Sequence, residues 1–370
     1  MLDFQNVLEY NEVASKTFWG IYWTQPEKGI HVPVTLKEIA KRTGRSVTTV
    51  SRALNDYDDV SPKTKELVRK VAAELGYTPS SLAQRLQKQR SETIGLVLPT
   101  FGPRFSDPFF SELLAGVGNK AAGFGYDLLV STQPPGDREL ETYKKLLDGR
   151  RVDGFIIVRT RRKDPRIEYL SQRDAPFAAF GRVDGDTDFP FVDEDGAYGM
   201  RQVAEHLAQN GHTHIVCISS SPELTFTAHR LQGLRDGLAE WDIYVSDDAI
   251  RFGDLTQRSG YELANELLSA SQPINAIVAF NDMMAFGAMS AAQDLGLAVG
   301  KDIAITGFDD IPMAEYSHPP LTTVQQPVYR IGGVVCEMLI NQILGKPIDD
   351  RQVILKPTLV VRQSSSRQMA

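Results

Sequence analysis

Val47, Thr48 and Arg52 fall within the run SVTTVSRALN, and their types suit a base edge in DNA. An arginine pairs bidentately with guanine, and threonine and valine methyls touch the thymine methyl. Ser46, Ser51 and Asn55 beside them offer hydroxyls and an amide to phosphate oxygens, contacts that set register without reading sequence. The solvated face of any small helical bundle shows the same residue types, so their context must decide. A second set is scattered widely: Arg230, Asn281 and Asp309 supply the donors and acceptors that the vicinal hydroxyls of a sugar need. Phe110, Phe191 or Phe226 would offer an apolar face to its C–H surface, although core packing is the simpler account of any one of them.

The elements that must position the first set can be read from their caps. Thr35 is an N-cap candidate ahead of LKEIAKRT, Gly44 supplies a turn, and Ser46 caps a second helix whose Val47, Val50 and Leu54 recur at helical spacing. Two short helices joined by a tight glycine turn make a helix-turn-helix. A third helix starts at Ser61-Pro62 and stops at Gly76. After Tyr77-Thr78-Pro79 comes SSLAQRLQKQR, shorter than the ~12–15 residues at which an isolated helix is even marginal, so it should fold only when docked. Leu86, with Leu82 and Ala83 nearby, suits an apolar wedge in the minor groove, and an ordinary linker is the alternative.

From Ser91 onward, apolar runs rich in branched residues (TIGLVLP, VDGFIIV, APFAAFG, THIVCIS, NAIVAF, IAITGFDD) alternate with helical stretches, the signature of parallel sheets. The alternation outlasts one six-stranded sheet. The expected fold is therefore an all-α helix-turn-helix headpiece followed by an α/β core of two doubly wound parallel-sheet lobes. VILKPTLVVRQ reads as one last strand before a polar tail that carries no heptad helix for higher assembly.

Charge divides along the same boundary. The net charge is -7, yet residues 34–90 hold 12 Lys and Arg against 6 Asp and Glu, leaving the rest of the chain acidic. A basic DNA-binding module joined to an acidic ligand-binding module would show this asymmetry. With 42% hydrophobic and 24% charged residues and no apolar run near the length of a membrane span, a soluble protein is expected, with no membrane partner. The first residues lack the basic and apolar regions of a secretory signal, which predicts a cytoplasmic location. Cys217 and Cys336, each in an apolar run, read as buried free thiols. An enzyme is disfavoured: there is no phosphate-cradling glycine loop with its lysine, no Gly-x-Ser-x-Gly elbow, and no HExxH or other metal-ligand spacing. No catalytic residue, metal or cofactor is expected. A transport-associated binding protein would share the core but should carry an export signal and lack the headpiece.

VTLKEIAKRTGRSVTTVSRALN, VSPKTKELVRKVAAELGYTPSSLAQRLQ and ETIGLVLP resemble, in order, the headpiece, hinge helix and first core strand of the lactose/galactose repressor family. SDPFF, VDGFIIV, HRLQGL, FNDMMAFGAM, IAITGFDD and PPLTTVQQP match its periplasmic-binding-protein-like core, so the resemblance runs from residue 34 to about 365. It implies a domain plan: residues 1–33 as an extension matching nothing in the pattern, a headpiece over 34–79, a hinge helix over 80–90, and an effector-binding and dimerisation core over 91–370. Within the core, lobe 1 would take about 91–191 plus 325–353, and lobe 2 about 192–324 plus 354–370. It implies DNA contacts at Thr35, Ser46, Val47, Thr48, Ser51, Arg52, Asn55, Ser61, Thr64, Tyr77, Ala83 and Leu86. It implies effector contacts at Asp107, Phe110, Arg182, Phe191, Arg230, Asn281, Asp309 and Gln326, with Phe109 beside Phe110 at the mouth and Arg182 and Leu255 at positions that vary. The function it implies is a nucleoid-associated homodimeric repressor on a pseudo-palindromic operator in double-stranded DNA, released by a mono- or disaccharide inducer. RTRRKDPRIEYL is similar to members that respond to α-glucosides. The alternatives are a purine- or other metabolite-corepressed regulator and a sugar-binding protein that does not bind DNA.

Overall fold

The computed structural model describes residues 34–77, 90–100, 107–185, 188–270 and 273–366. The chain divides into two compact units, Met1–Gln84 and Arg85–Ala370.

Three helices make the first: α1 (Leu36–Thr43), α2 (Val47–Leu54) and α3 (Pro62–Glu74). Their ends follow from local chemistry. The Thr35 amide donates to the Glu38 carboxylate at 2.7 Å, Ser46 Oγ accepts from the Thr49 amide at 3.0 Å, and Ser61 Oγ accepts from the Thr64 amide ahead of Pro62. Gly44 closes α1 at φ +64°, a left-handed conformation that costs glycine nothing. Ile39, Ala40, Val50, Ala53, Val68 and Val71 are buried between the helices, so the apolar periodicity of all three is spent on one small core.

The second unit alternates strands and helices. Its first lobe holds β1 (Thr93–Pro99), α4 (Pro108–Gly123), β2 (Asp127–Gln133), α5 (Asp137–Asp148), β3 (Gly154–Ile157), α6 (Pro165–Gln172), β4 (Phe177–Phe180) and β5 (Phe191–Glu194). The chain then crosses to α7 (Gly196–Gln209), β6 (Ile215–Ser219), α8 (Thr225–Ala239), β7 (Ile250–Phe252), α9 (Gln257–Ser269), β8 (Ala276–Ala279), α10 (Asp282–Asp294), β9 (Ala304–Thr306), the short α11 (Met313–Tyr316) and β10 (Thr323–Gln325). It returns for α12 (Val328–Leu344) and β11 (Gln352–Leu355), and crosses once more to β12 (Thr358–Val360). The lobe 1 sheet runs β11-β5-β4-β3-β1-β2 and the lobe 2 sheet β7-β6-β8-β9, every pair parallel, while β10 and β12 pair antiparallel.

Side chains of the lobe 1 strands alternate between two cores. Ile94, Leu96, Ile156 and Ala178 pack under α4 and α12, and Val97, Phe155, Ile157 and Ala179 pack on the opposite face, as a parallel sheet covered on both sides requires. Both thiols, Cys217 and Cys336, are free and buried, as expected.

Three expected boundaries move. Residues 192–194 complete β5 in the lobe 1 sheet, so the first crossing falls at Asp195 rather than after residue 191. Gln325 belongs to β10 and pairs with Thr358, so the return crossing is Gln326-Pro327. VILKPTLVV is two strands in different lobes, because Pro357 has no amide to continue a ladder and Lys356-Pro357 becomes the third crossing. The hinge segment, with Ala83 and Leu86, and the 1–33 extension lie outside the described residues.

Candidate functional site

On the first unit, Val47 (41% exposed), Thr48 and Arg52 share the outer face of α2, with Asn55 exposed at its C-cap, while Val50 and Ala53 point into the core. The face suited to bases is therefore presented, but Arg52 is engaged: its guanidinium pairs with Asp59 at 2.6 Å and lies 4.9 Å from the Tyr57 ring centroid. Ser46 and Ser61 spend their hydroxyls on helix capping and on Thr49 and Thr64, and Asn55 Nδ2 donates to the Ser51 carbonyl at 2.9 Å. Thr35 is exposed at the start of α1, and Tyr77 packs half-buried against the helical core, where burial raises its phenol above the usual value.

In the second unit one cleft, of about 540 Å³ with its open mouth included, lies between the lobes at the carboxyl ends of both sheets. Open α/β sheets place ligands there. Lobe 1 contributes Asp107 and Phe109 at the start of α4, Val158, Arg159 and Thr160 after β3, Phe180 and Gly181 after β4, and Asp193 and Glu194 from β5. Lobe 2 contributes Phe226 and Arg230 on α8, Leu255, Asn281 before α10 and Asp309 after β9, and the crossing contributes Gln326.

Arg230 is the most constrained of these. Its Nη1 donates to the Phe280 carbonyl at 2.6 Å and its Nη2 to Glu194 at 2.8 Å, while the guanidinium lies 3.5 Å from the Phe308 ring centroid and 4.7 Å from that of Phe226. Its Nε is buried without a partner, as is Gln326 Oε1, whose Nε2 donates to Asp309 at 2.6 Å. Asn281 caps α10 by accepting from the Met284 amide and donates to the Leu255 carbonyl at 3.0 Å. Asp107 accepts from the Phe109 amide and from Arg159 at 2.6 Å.

Charge here is held away from water. Burial raises Asp309 well above the ordinary carboxylate range, against the pull of Arg230. Burial and the adjoining Glu194 do the same to Asp193, against Arg182. Burial lowers Arg159, and Asp107 works against that. Beneath Asp309, the fully buried Asp282 accepts from the Ile311 amide at 2.9 Å and from Thr323 Oγ1, and burial pushes it up to about 7. A Cβ at Gly307 would stand 2.2 Å from Asp282 Oδ1, so this loop can approach Asp282 only with glycine there.

Four lining residues have φ in the left-handed region: Arg159 (+51°), Gly181 (+113°), Leu255 (+67°) and Asp309 (+119°). Such conformations persist where the surroundings over-determine them. At Arg159 the clamp is visible: buried Arg166 pairs with Asp164 and Glu139 and donates to the Val158 and Arg159 carbonyls at 3.1 and 3.0 Å. Arg161 joins the network through Glu139, and Arg162 pairs with Asp184. RTRRKDPRIEYL is thus chiefly scaffold, with Arg159 and Thr160 its cleft-facing residues.

Of the expected effector residues, Asp107, Arg230, Asn281, Asp309 and Gln326 converge on the cleft. Three do not line it. Phe110 is fully buried in lobe 1 with the Arg159 guanidinium 4.7 Å from its ring centroid, and Phe109 faces the cleft instead, one residue being a 100° turn of α4. Phe191 packs with Phe189 in the opposite core. Arg182 stands behind the wall, paired with Asp193 at 2.7 Å. Glu194, Asp193, Thr160 and Phe180 were passed over, although each sits at the carboxyl end of a strand, and that position was the available signal.

Residues 35–80 match the family described as bacterial regulatory proteins, lacI family, and residues 204–365 match a periplasmic binding protein-like domain. The chain is 35% identical over 338 residues to the HTH-type transcriptional regulator AglR of Rhizobium meliloti, covering 90% of this chain and 95% of that one. It belongs to the LacI family. Members similar along the same length include the HTH-type transcriptional repressor CytR of Escherichia coli, 32% identical with 90% of this chain and 96% of that one covered. Among solved structures, the LacI-family fold is matched by the lac repressor dimer bound to operator and the anti-inducer ONPF (TM-score 0.78, 28% identity, 90% and 99% covered). It is also matched by the transcriptional regulator CelR in complex with cellobiose (TM-score 0.70, 30% identity, 90% and 99% covered). As a LacI-family protein this chain is a DNA-binding transcriptional regulator and not an enzyme. Among the described residues no cluster of His, Cys, Asp or Glu is placed to hold a metal ion, and no helix is long and apolar enough to cross a membrane.

Proposed function

We propose that this LacI-family regulator is a cytoplasmic, nucleoid-associated repressor that grips a pseudo-palindromic operator as a homodimer and is released by a mono- or disaccharide bound in the interlobe cleft. One observation carries the reading: polar groups from both lobes, with the unmet donor Arg230 Nε and the unmet acceptor Gln326 Oε1, converge beside the phenyl faces of Phe109 and Phe226. A sugar supplies hydroxyls to the first and a C–H face to the second. The cellobiose complex of CelR supports the ligand class. Val47, Thr48 and Arg52 read base edges, and Thr35, Ser46, Ser51, Asn55, Ser61, Thr64 and Tyr77 serve phosphates. Ala83 and Leu86 serve the minor groove.

The effector acts by linkage: it prefers one arrangement of the lobes, and that preference changes operator affinity by about 5- to 150-fold, the usual range of allosteric coupling. The test is a thermal-shift screen of the purified protein against mono- and disaccharides, including the α-glucosides maltose, trehalose and sucrose, and against purines. Any hit is then titrated into a fluorescent operator complex. A saccharide that raises the melting temperature and releases operator supports the reading. Hits confined to purines, or a hit that tightens operator binding, replace induction with corepression.

A further inference from the structure

We infer that residues 160–162 of lobe 1 and 223–225 of lobe 2 form a latch that parts each time the cleft admits or releases its effector, and so sets how fast the effector exchanges; this rests on the cleft as the binding site and on no particular effector.

The groups that an effector would meet are closed off by the lobes themselves. Arg230, Asn281 and Gln326 are buried, and the unmet Arg230 Nε and Gln326 Oε1 are sealed from solvent, so nothing reaches them until the lobes part. The chain crosses between lobes beside β5 and β11 on one side and beside β10 and β12 on the other, with β10 bridged to β9. The latch lies elsewhere. It follows β3 and β6, two strands from β5 in one sheet and two from β9 in the other, about 10 Å at the usual strand spacing. A rotation of about 10° at the crossings carries its two edges about 1.7 Å apart, which ends a hydrogen bond.

Two backbone bonds make the latch. The Arg162 amide donates to the Glu223 carbonyl at 2.8 Å and the Thr225 amide to the Thr160 carbonyl at 3.0 Å, with Arg161 and Leu224 facing each other between them. Each edge is held in shape by its own lobe. In lobe 1 the Arg161 amide donates to Asp164 at 3.0 Å, the Asp184 amide to the Arg162 carbonyl at 3.1 Å, and Arg166 grips the two carbonyls just before. In lobe 2 the Leu224 amide donates to the Ser221 carbonyl at 3.1 Å, and the Ser220 and Thr227 hydroxyls bond at 2.6 Å. The edges therefore keep their form when they separate. Parting them costs two hydrogen bonds and no refolding, which suits an element with two discrete arrangements.

The experiment is amide hydrogen exchange on the full-length protein with two substitutions at one position. Thr225→Pro deletes the amide that bonds Thr160, at the first position of α8, where proline is accepted and Leu224 before it is already extended at φ -77° and ψ 130°. Thr225→Val keeps that amide and loses only an Oγ1 buried without a partner. The Arg162 amide should exchange about 2- to 12-fold faster in Thr225→Pro, the net worth of one hydrogen bond, and at the wild-type rate in Thr225→Val. An Arg162 amide no faster in Thr225→Pro, or equally faster in both variants, overturns the latch. A second variant forces it shut. Arg161 and Leu224 form a non-hydrogen-bonded pair, whose Cα atoms stand about 4.5 Å apart and within disulfide reach, so Arg161→Cys/Leu224→Cys can be oxidised across the lobes. Glu139 keeps its pair with Arg166 there, and the native thiols are buried. In stopped-flow mixing with maltose, trehalose, sucrose and cellobiose, the oxidised variant should neither take up nor release a sugar that the reduced variant binds, and dithiothreitol should restore exchange. Binding rates unchanged by oxidation overturn the gating role. Should none of these sugars bind the wild type, the saccharide reading falls and the hydrogen-exchange result decides the latch by itself.

Discussion

Arg230 shows how a single side chain can belong to the binding site and to the core at once. It is 4% exposed, paired with Glu194 and packed against the Phe308 ring, so replacing it does two things. Arg230→Met should abolish effector binding and destabilise the core by about 3–5 kcal/mol, because Glu194 is left as a buried, unpaired charge. The double variant with Glu194→Gln should recover part of that loss in urea unfolding without recovering binding. Arg52 is the opposite case, since its pair with Asp59 is half exposed and such surface pairs contribute about 0.2–1 kcal/mol. Asp59→Asn should therefore tighten operator binding by up to about fivefold in a fluorescence titration, and unchanged affinity would mean that the Arg52–Asp59 pair does not compete with the operator. Residue types in the sequence pointed to three of the cleft's polar contributors, Arg230, Asn281 and Asp309, and the family resemblance added Asp107 and Gln326. The choice between Phe109 and Phe110 was illegible, because both follow Pro108 and only the rotation of α4 separates them.

Elements were legible where their caps or branched runs are strong. Ser46 ends a turn and starts α2, and Ser46→Ala should cost the headpiece about 0.5–2 kcal/mol in thermal unfolding through the lost bond to the Thr49 amide. The core strands announced themselves as apolar runs, but a run does not say which sheet it joins. β11 and β12 are separated by two residues and belong to different lobes, a distinction set by long-range pairing with β5 and β10. The same limit hid Asp193 and Glu194, which read as a strand end until β5 is placed in the lobe 1 sheet. The Gly307 loop depends on close approach to Asp282, so Gly307→Ala should destabilise by about 1–3 kcal/mol in denaturant unfolding as the new methyl displaces the Asp282 carboxylate.

At the scale of the molecule, the lobes of the core touch across the cleft as well as along the crossings. Arg161 and Leu224 form an antiparallel bridge, with the Arg162 amide donating to the Glu223 carbonyl at 2.8 Å. Arg182 Nη2 donates to His229 Nδ1 at 3.1 Å, and since arginine cannot accept, this imidazole must be neutral. Burial and Arg182 lower the His229 pKa, while Glu194, Asp184 and Asp195 pull it up. The closed cleft thus binds fewer protons at His229 than an opened or unfolded one. Its contribution is lost as pH falls below the ordinary histidine value of about 6.5. Effector affinity should weaken between about pH 7.5 and about pH 5.5, and His229→Gln, which can still accept from Arg182, should flatten that slope in calorimetry. A slope unchanged by the substitution would place the titration elsewhere.

The three crossings also decide when, during synthesis, this protein can exist. Lobe 1 lacks α12 and its edge strand β11 until nearly all of lobe 2 has left the ribosome, and lobe 2 lacks β12 until the last dozen or so residues follow. A nascent chain stopped at residue 320 has two unfinished cores and an incomplete cleft, since Gln326 has not been made. The headpiece, by contrast, emerges first with its small core complete. A truncated message would therefore yield a DNA-reading fragment attached to sticky, half-built sheets, so that quality control, rather than any effector, would decide its fate.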